Sequence, residues 1–355
     1  MRASCRTPLR PQVATAHQDL PVSKSPPPGQ CVCQTLALRT QGWFEAALLS
    51  IVLALAAPAA FAQAKPGLSL ETGFAPAQDL TVWPLDISQG YPFVRGQVGG
   101  VTGVFLLDTG TPWGLLLNRA RVDLPDTTFV LKATAGSGQS FDVVRASRML
   151  PLVLHGQIWT EVQGVHAGDL GFVERGTGIG PLLGFIGANF FSNTALTLDY
   201  ARRVAVIRRV QPETGAPLAA LPAELAGGTV VASVRYRGDS ASFPLFDALL
   251  GVTPVRVMLD SGNQAATLDA GWLADMHRAG AAHPFSRIGN ETTYRTLPLQ
   301  IGGMRVPLNE VVASDQPTKV AGEPDPHLLR VGFALLNRFG VTWNYRLQTL
   351  SFFTP

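Results

Sequence analysis

The sequence predicts an all-β protein built from two homologous halves, and three observations carry that expectation. Nearly everything after Lys65 is a succession of short apolar or alternating runs punctuated by Gly, Pro and Asn, which is the pattern of strands and turns. An apolar run that climbs to Asp108 and breaks at Thr109-Gly110 (VFLLDTGTPWGLLL) recurs as VRVMLDSGNQAATL, which ends its climb in Asp260-Ser261-Gly262. Between the two lies a stretch rich in Pro, Ala and Gly, residues 211–228, which reads as a linker with room for one helical turn.

Taken from the N-terminus, residues 1–43 are rich in Pro and polar residues without an amphipathic period. They are either the product of an overlong start or a disordered extension. Residues 44–62 read as a signal peptide. Their apolar centre, LLSIVLALAA at 48–57, is short for a bilayer span, and Ala60-Phe61-Ala62 places cleavage before Gln63. The alternative is an uncleaved anchor. The expectation is a periplasmic or secreted chain with no stable membrane span after cleavage. All three cysteines, Cys5, Cys31 and Cys33, lie upstream, and Cys31-x-Cys33 lacks redox or zinc spacing. A mature chain of about 290 residues then has no disulfide and relies on a core that its length can supply.

Composition narrows the function classes. Hydrophobic residues make up 46% and charged residues 15%, so the chain is globular. The net charge of +3 with scattered Arg gives nucleic-acid binding no footing.

In the first half, residues 63–210, strands are expected at 91–98, 104–108, 129–133, 141–146, 152–154, 196–198 and 204–210. In the second half, residues 229–355, they are expected at 230–236, 243–249, 255–260, 293–299 and 306–312. One helix is expected at 272–279, capped by Asp269, with Trp272, Leu273 and Met276 on one face. The repeat continues beyond the Asp motifs. Gly187 to Tyr200 spans 13 positions, as does Gly332 to Tyr345, and each interval runs through a short strand to Asp-Tyr or Asn-Tyr. Asp108 precedes its glycine by 79 positions and Asp260 by 72, a difference the size of a loop. Asp199 and Asn344 are equivalent, and because one is an amide the position reads as a structural turn.

LLDTGT with a later Phe185-Ile186-Gly187, and MLDSGN with Arg330-Val331-Gly332, resemble the pepsin/retropepsin superfamily of aspartic proteases. The residue before Val331 is charged, a departure from the family's apolar pattern. The likeness covers about residues 91–353. It implies two homologous pepsin/retropepsin-like β-barrel lobes with an interlobe cleft, one carboxylate per lobe, a peptide or protein substrate, and neither cofactor nor metal. Asp108 and Asp260 are then the catalytic pair. Facing carboxyls cannot both ionise easily, so they share a proton; one activates water and the other donates to the peptide carbonyl.

The resemblance assigns supporting roles as well. Gly110 and Gly262 would permit the tight turns, Thr109 and Ser261 would bond across the lobe interface, and Thr111 would bond the outer carboxylate oxygen. Asn263 stands where Ser, Thr or Ala is usual, and its amide can donate a similar bond. A flap hairpin maps to Gly136, Ser137 and Gly138, which an ordinary surface hairpin fits equally. No Tyr lies there to match the family's flap tyrosine, and Tyr294 lies in the matching region of the second half.

Other signals carry less. Gly176 to Gly180 (GTGIG) lacks nucleotide-loop spacing and reads as a loop before the strand at Phe185. His155, His166, His277, His283 and His327 show no metal-ligand spacing and read as surface or loop residues. No G-x-S-x-G elbow occurs. The expectation is an exported, monomeric aspartic endopeptidase. One alternative is a pepsin-like peptide binder without turnover, suggested by Asn263, the missing flap tyrosine and Pro112-Trp113. Another is pairing of each half with its counterpart in a second chain.

Overall fold

The computed structural model describes residues 78–354 except 136–137, 149, 160–164, 227, 238–243, 289–290, 316–318, 321–322 and 326. The extension, the signal peptide and all three cysteines expected from the sequence lie outside these residues. The described residues are mostly β, with 53% in strands against 11% in helices. Among the described residues no helix is long and apolar enough to cross a membrane.

The two halves repeat one strand order. In the first half the sheet runs Thr127–Thr134, Ser140–Ala146, His166–Gly168, Leu115–Asn118, Leu182–Gly187, Val101–Asp108, Tyr91–Val98, Leu152–Leu154, Gln157–Trp159, with Asp86–Ser88 added beside Tyr91–Val98. In the second it runs Ala282–Ile288, Glu291–Thr296, Val311–Ser314, Ala266–Asp269, Leu328–Val331, Thr253–Leu259, Leu245–Leu250, Leu299–Ile301, Met304–Val306. Position for position these correspond. In each, the strand leading to the aspartate lies parallel to the strand leading to the later glycine.

A six-stranded sheet takes three strands from each half, in the order Leu80–Pro84, Val204–Arg209, Thr194–Asp199, Gly340–Asn344, Thr349–Phe353, Val230–Arg235. Its middle pair is antiparallel, and Thr197 faces Thr342, its own equivalent in the repeat, with the two hydroxyl oxygens 2.7 Å apart. A local two-fold axis therefore passes through this pair. One apolar cluster runs from the first half through this sheet into the second, including Trp83, Phe105, Phe191, Trp343, Leu259 and Phe352, all buried.

Several expected elements shift for identifiable reasons. The single run 293–299 is two strands, because Pro298 cannot donate to a ladder, and 306–312 divides at Pro307 in the same way. The expected helix occupies Ala270–Arg278, where Asp269 caps it by accepting from the Trp272 N–H at 3.0 Å; Leu273 and Met276 are buried. The linker holds a short helix, Ala223–Ala226. The segment Gly176 to Gly180 is not simply a loop. It contains the end of an unforeseen helix, Gly171–Thr177, closed by Gly178 in the left-handed region at φ 63°. Asp199 and Asn344 build turns, as their shared position suggested. Asp199 accepts from the Arg202 N–H at 2.9 Å, and Asn344 Oδ1 accepts from the Leu347 N–H at 3.0 Å.

Candidate active site

Each motif aspartate sits where a central strand ends, and the turn after it is pinned from behind by the later glycine. Thr111 N–H donates to the Asp108 carbonyl at 3.1 Å, and Asn263 N–H donates to the Asp260 carbonyl at 3.0 Å. Ala188 N–H then donates to the Thr111 carbonyl at 2.8 Å, and Phe333 N–H to the Asn263 carbonyl at 2.9 Å. The glycines before them, Gly187 and Gly332, lie so tightly against these turns that a β-carbon would overlap backbone carbonyl oxygens. This is why the later glycine belongs with the aspartate motif in both halves.

The two turns meet in a reciprocal exchange of four buried hydrogen bonds. Thr109 N–H donates to Ser261 Oγ at 2.9 Å, and Ser261 N–H donates to Thr109 Oγ1 at 3.0 Å. Each hydroxyl in turn donates to the opposite strand: Thr109 to the Leu259 carbonyl at 3.0 Å, Ser261 to the Leu107 carbonyl at 2.7 Å. Every donor in the exchange has an acceptor, as buried polar groups require. The bonds join two halves of one chain, so no second copy is needed to complete them.

This clasp sets the carboxyls against each other, close enough that each acts on the other's ionisation. Asp108 Oδ1 accepts from the Gly110 N–H at 2.9 Å, and its Oδ2 accepts from Thr111 Oγ1 at 2.6 Å. Asp260 Oδ1 accepts from the Gly262 N–H at 2.8 Å. Asp260 Oδ2 is buried and accepts no hydrogen bond from the described residues, so Asn263 does not supply a bond there like that of Thr111. Asn263 is buried and bonds through its backbone, which pins the turn.

Gly110 and Gly262 have a different reason from the expected tight turn. Neither has a positive φ. A β-carbon on Gly262 would stand 2.7 Å from Asp108 Cγ, and one on Gly110 would collide with the Asp260 carboxyl. Each glycine clears space for the carboxyl of the other half.

Electrostatically the pair is strained. Burial, then the neighbouring Asp260 carboxyl, pushes Asp108 well above the usual carboxylate range. Burial also raises Asp260, against the downward pull of the Arg330 guanidinium. One proton shared between them relieves both costs. Among the described residues there is no group of His, Cys, Asp or Glu that could hold a metal ion.

Residues beyond the expected set surround the pair. Tyr91 is buried, two positions beyond the Phe93↔Leu106 pairing and so opposite Asp108; burial and both aspartates raise its phenol. Tyr200 is also buried and feels both carboxyls, and its hydroxyl has no partner among the described residues. Arg330 is buried in the strand beside Asp260. Its charge within an apolar run was visible in the sequence, whereas nothing there marked Tyr91 as the neighbour of Asp108.

Of the flap candidates, Gly136 and Ser137 lie outside the described residues. Gly138 closes the hairpin between Thr127–Thr134 and Ser140–Ala146, where its N–H donates to the Ala135 carbonyl at 2.8 Å. Tyr294 packs edge-on to His277 in the second-half hairpin, with ring centroids 5.8 Å apart. His166 is not a loop residue. It lies in a strand and stacks on Trp113 at 5.1 Å, and burial with Arg145 nearby pulls its imidazole down to about 4. The chain matches no protein-family model, and no curated protein sequence matches it.

Proposed function

We propose that the chain is an exported aspartic endopeptidase of pepsin/retropepsin-like architecture, in which the two halves are the lobes and Asp108 and Asp260 the catalytic pair. The observation that carries this reading is the four-bond clasp between Thr109 and Ser261, which holds two buried carboxyls against each other. Such a pair is suited to peptide hydrolysis. Its ionised member takes a proton from water as that water attacks the carbonyl carbon, and its protonated member gives a proton to the carbonyl oxygen. Thr111 steadies Asp108, and the glycine N–H groups fix both carboxyl planes. The hairpin of Thr127–Thr134 and Ser140–Ala146 is the candidate flap over a bound peptide.

The test is cleavage of a mixed-sequence peptide library by the exported chain from pH 3 to 8, beside Asp108→Asn and Asp260→Asn. A bell-shaped rate profile that either substitution abolishes is expected. Turnover that survives both substitutions would sink the proposal. A second reading, a peptide binder without turnover, draws on the near-complete burial of Asp108 and Asp260, at 1% and 0% exposure. It expects peptide binding by a folded chain that cleaves nothing, with affinity retained in both variants.

A further inference from the structure

The two halves share a strand order but not the residues that flank their aspartates. In the first half Phe185 pairs with Leu106 and Leu116, and Phe93 pairs with Leu106 from the other side. All four belong to one apolar cluster with Tyr91. Side chains alternate along a strand, so this is the face on which Asp108, two residues past Leu106, projects. In the second half the corresponding places go to Arg330, Met258, Thr267 and Leu245. An arginine and a threonine therefore interrupt the layer, and only Leu245, Met258 and Leu328 remain as an apolar cluster. Asp260, two residues past Met258, projects on this face with Arg330.

Arg330 is 4% exposed. A buried guanidinium is costly unless an anion accompanies it, and it keeps its charge even there, its pKa falling only to about 10 through burial while both aspartates hold it up. A pair of carboxyls sharing one proton carries one negative charge, so pair and guanidinium together form a neutral buried centre. The first half has Phe185 in the matching place and offers no such charge to Asp108.

We propose that Arg330 is a positioning residue that keeps Asp260 the ionised member of the pair and leaves the shared proton on Asp108. This rests on the endopeptidase reading for its catalytic consequence. Water oxygen bonds to the carbonyl carbon, one water proton passes to Asp260, and the Asp108 proton passes to the carbonyl oxygen. The product is a neutral tetrahedral diol, and the pair keeps its single negative charge with the proton now on Asp260. The other titratable groups whose fields reach the pair are Tyr91, Tyr200 and Tyr345, phenols that burial keeps neutral. Arg330 is the charged group among those that act on Asp260.

The experiment follows the aspartate carboxyl 13C resonances of the folded chain from pH 3 to 9 without substrate, assigned with Asp108→Asn and Asp260→Asn. Asp260 is expected to ionise first. Arg330→Met is expected to move that first ionisation up by about one pH unit or more and to reduce the difference between the two residues, while Arg330→Lys preserves the order. Asp108 ionising first in the intact chain overturns the proposal, and that result needs no variant that folds. Arg330→Met that lowers the melting temperature but leaves the ionisation unmoved also overturns it, because Arg330 would then be structural. Because ionisation is read without turnover, a chain that cleaves nothing defeats the endopeptidase reading alone. A cleaving chain with the opposite order defeats this one alone.

Discussion

Replacing Thr109 by valine tests the clasp with little change of shape. The valine keeps the branched volume but loses the hydroxyl that donates to the Leu259 carbonyl and accepts from the Ser261 N–H, both at 3.0 Å. Ser261 and Leu259 are fully buried, so water cannot replace the lost partner. An orphaned buried donor costs about 1–3 kcal/mol, and the weakened carbonyl adds about 0.5–1.5 kcal/mol, giving a loss on the order of 2–4 kcal/mol. The assay is urea unfolding at 25 °C, where the midpoint should fall with the slope unchanged. Ser261→Ala should cost a similar amount, since Ser261 Oγ serves Leu107 and Thr109 in the same way. The double variant should fall short of the sum by about 0.5–3 kcal/mol, because each substitution disrupts a network the other shares. A loss under about 0.5 kcal/mol for Thr109→Val, with strict additivity in the double variant, would refute the idea that the clasp holds the halves together.

Three further outcomes follow, two at the site and one control away from it. Gly332→Ala places a methyl group against the carbonyl oxygens of Asp260 and Asn263, which are backbone and cannot swing aside; a loss of about 2–4 kcal/mol is expected. Val252→Ala, 86% exposed in a turn, should change stability by under about 0.5 kcal/mol in the same melting experiment. Asp108→Asn should raise the melting temperature at pH 7. The folded-state pKa of Asp108 lies well above its unfolded value, so the native chain holds more protons than the unfolded one in the interval between them. Stability is therefore full below the ordinary carboxylate range and is lost as pH rises through the raised value. The gain from the amide should disappear towards pH 3, and a gain that persists there would contradict the sign.

The aspartate turns were legible because their information is local. An apolar run, a carboxylate, a hydroxyl residue and a glycine stand next to one another, twice, and the structure brings Asp108, Thr109, Asp260 and Ser261 together. In the sequence the two glycines read as turn residues only. What constrains Gly262 is the Asp108 carboxyl of the other half, and no property of its own tripeptide records that neighbour. Tyr91 is hidden for the same cause: its place opposite Asp108 follows from strand register, which a single sequence does not state. The shared sheet is equally hidden, since Leu196 meets Trp343, a residue of the other half far along the sequence. Proline, by contrast, is a local signal: Pro298 and Pro307 each stand inside an apolar run and mark where it divides into two elements.

The axis through Thr197 and Thr342 has a consequence for how such a chain can diversify. Were the two halves separate identical copies, every substitution would appear twice, and an arginine beside one aspartate would require its twin beside the other. Joined by residues 211–228, each half answers for its own residues. Phe185 and Arg330 can then occupy matching places with opposite character, as can Thr111 and Asn263, while the strands that bind the halves stay alike. Covalent linkage thus turns an interface that would be bound to strict equality into one that tolerates a division of labour.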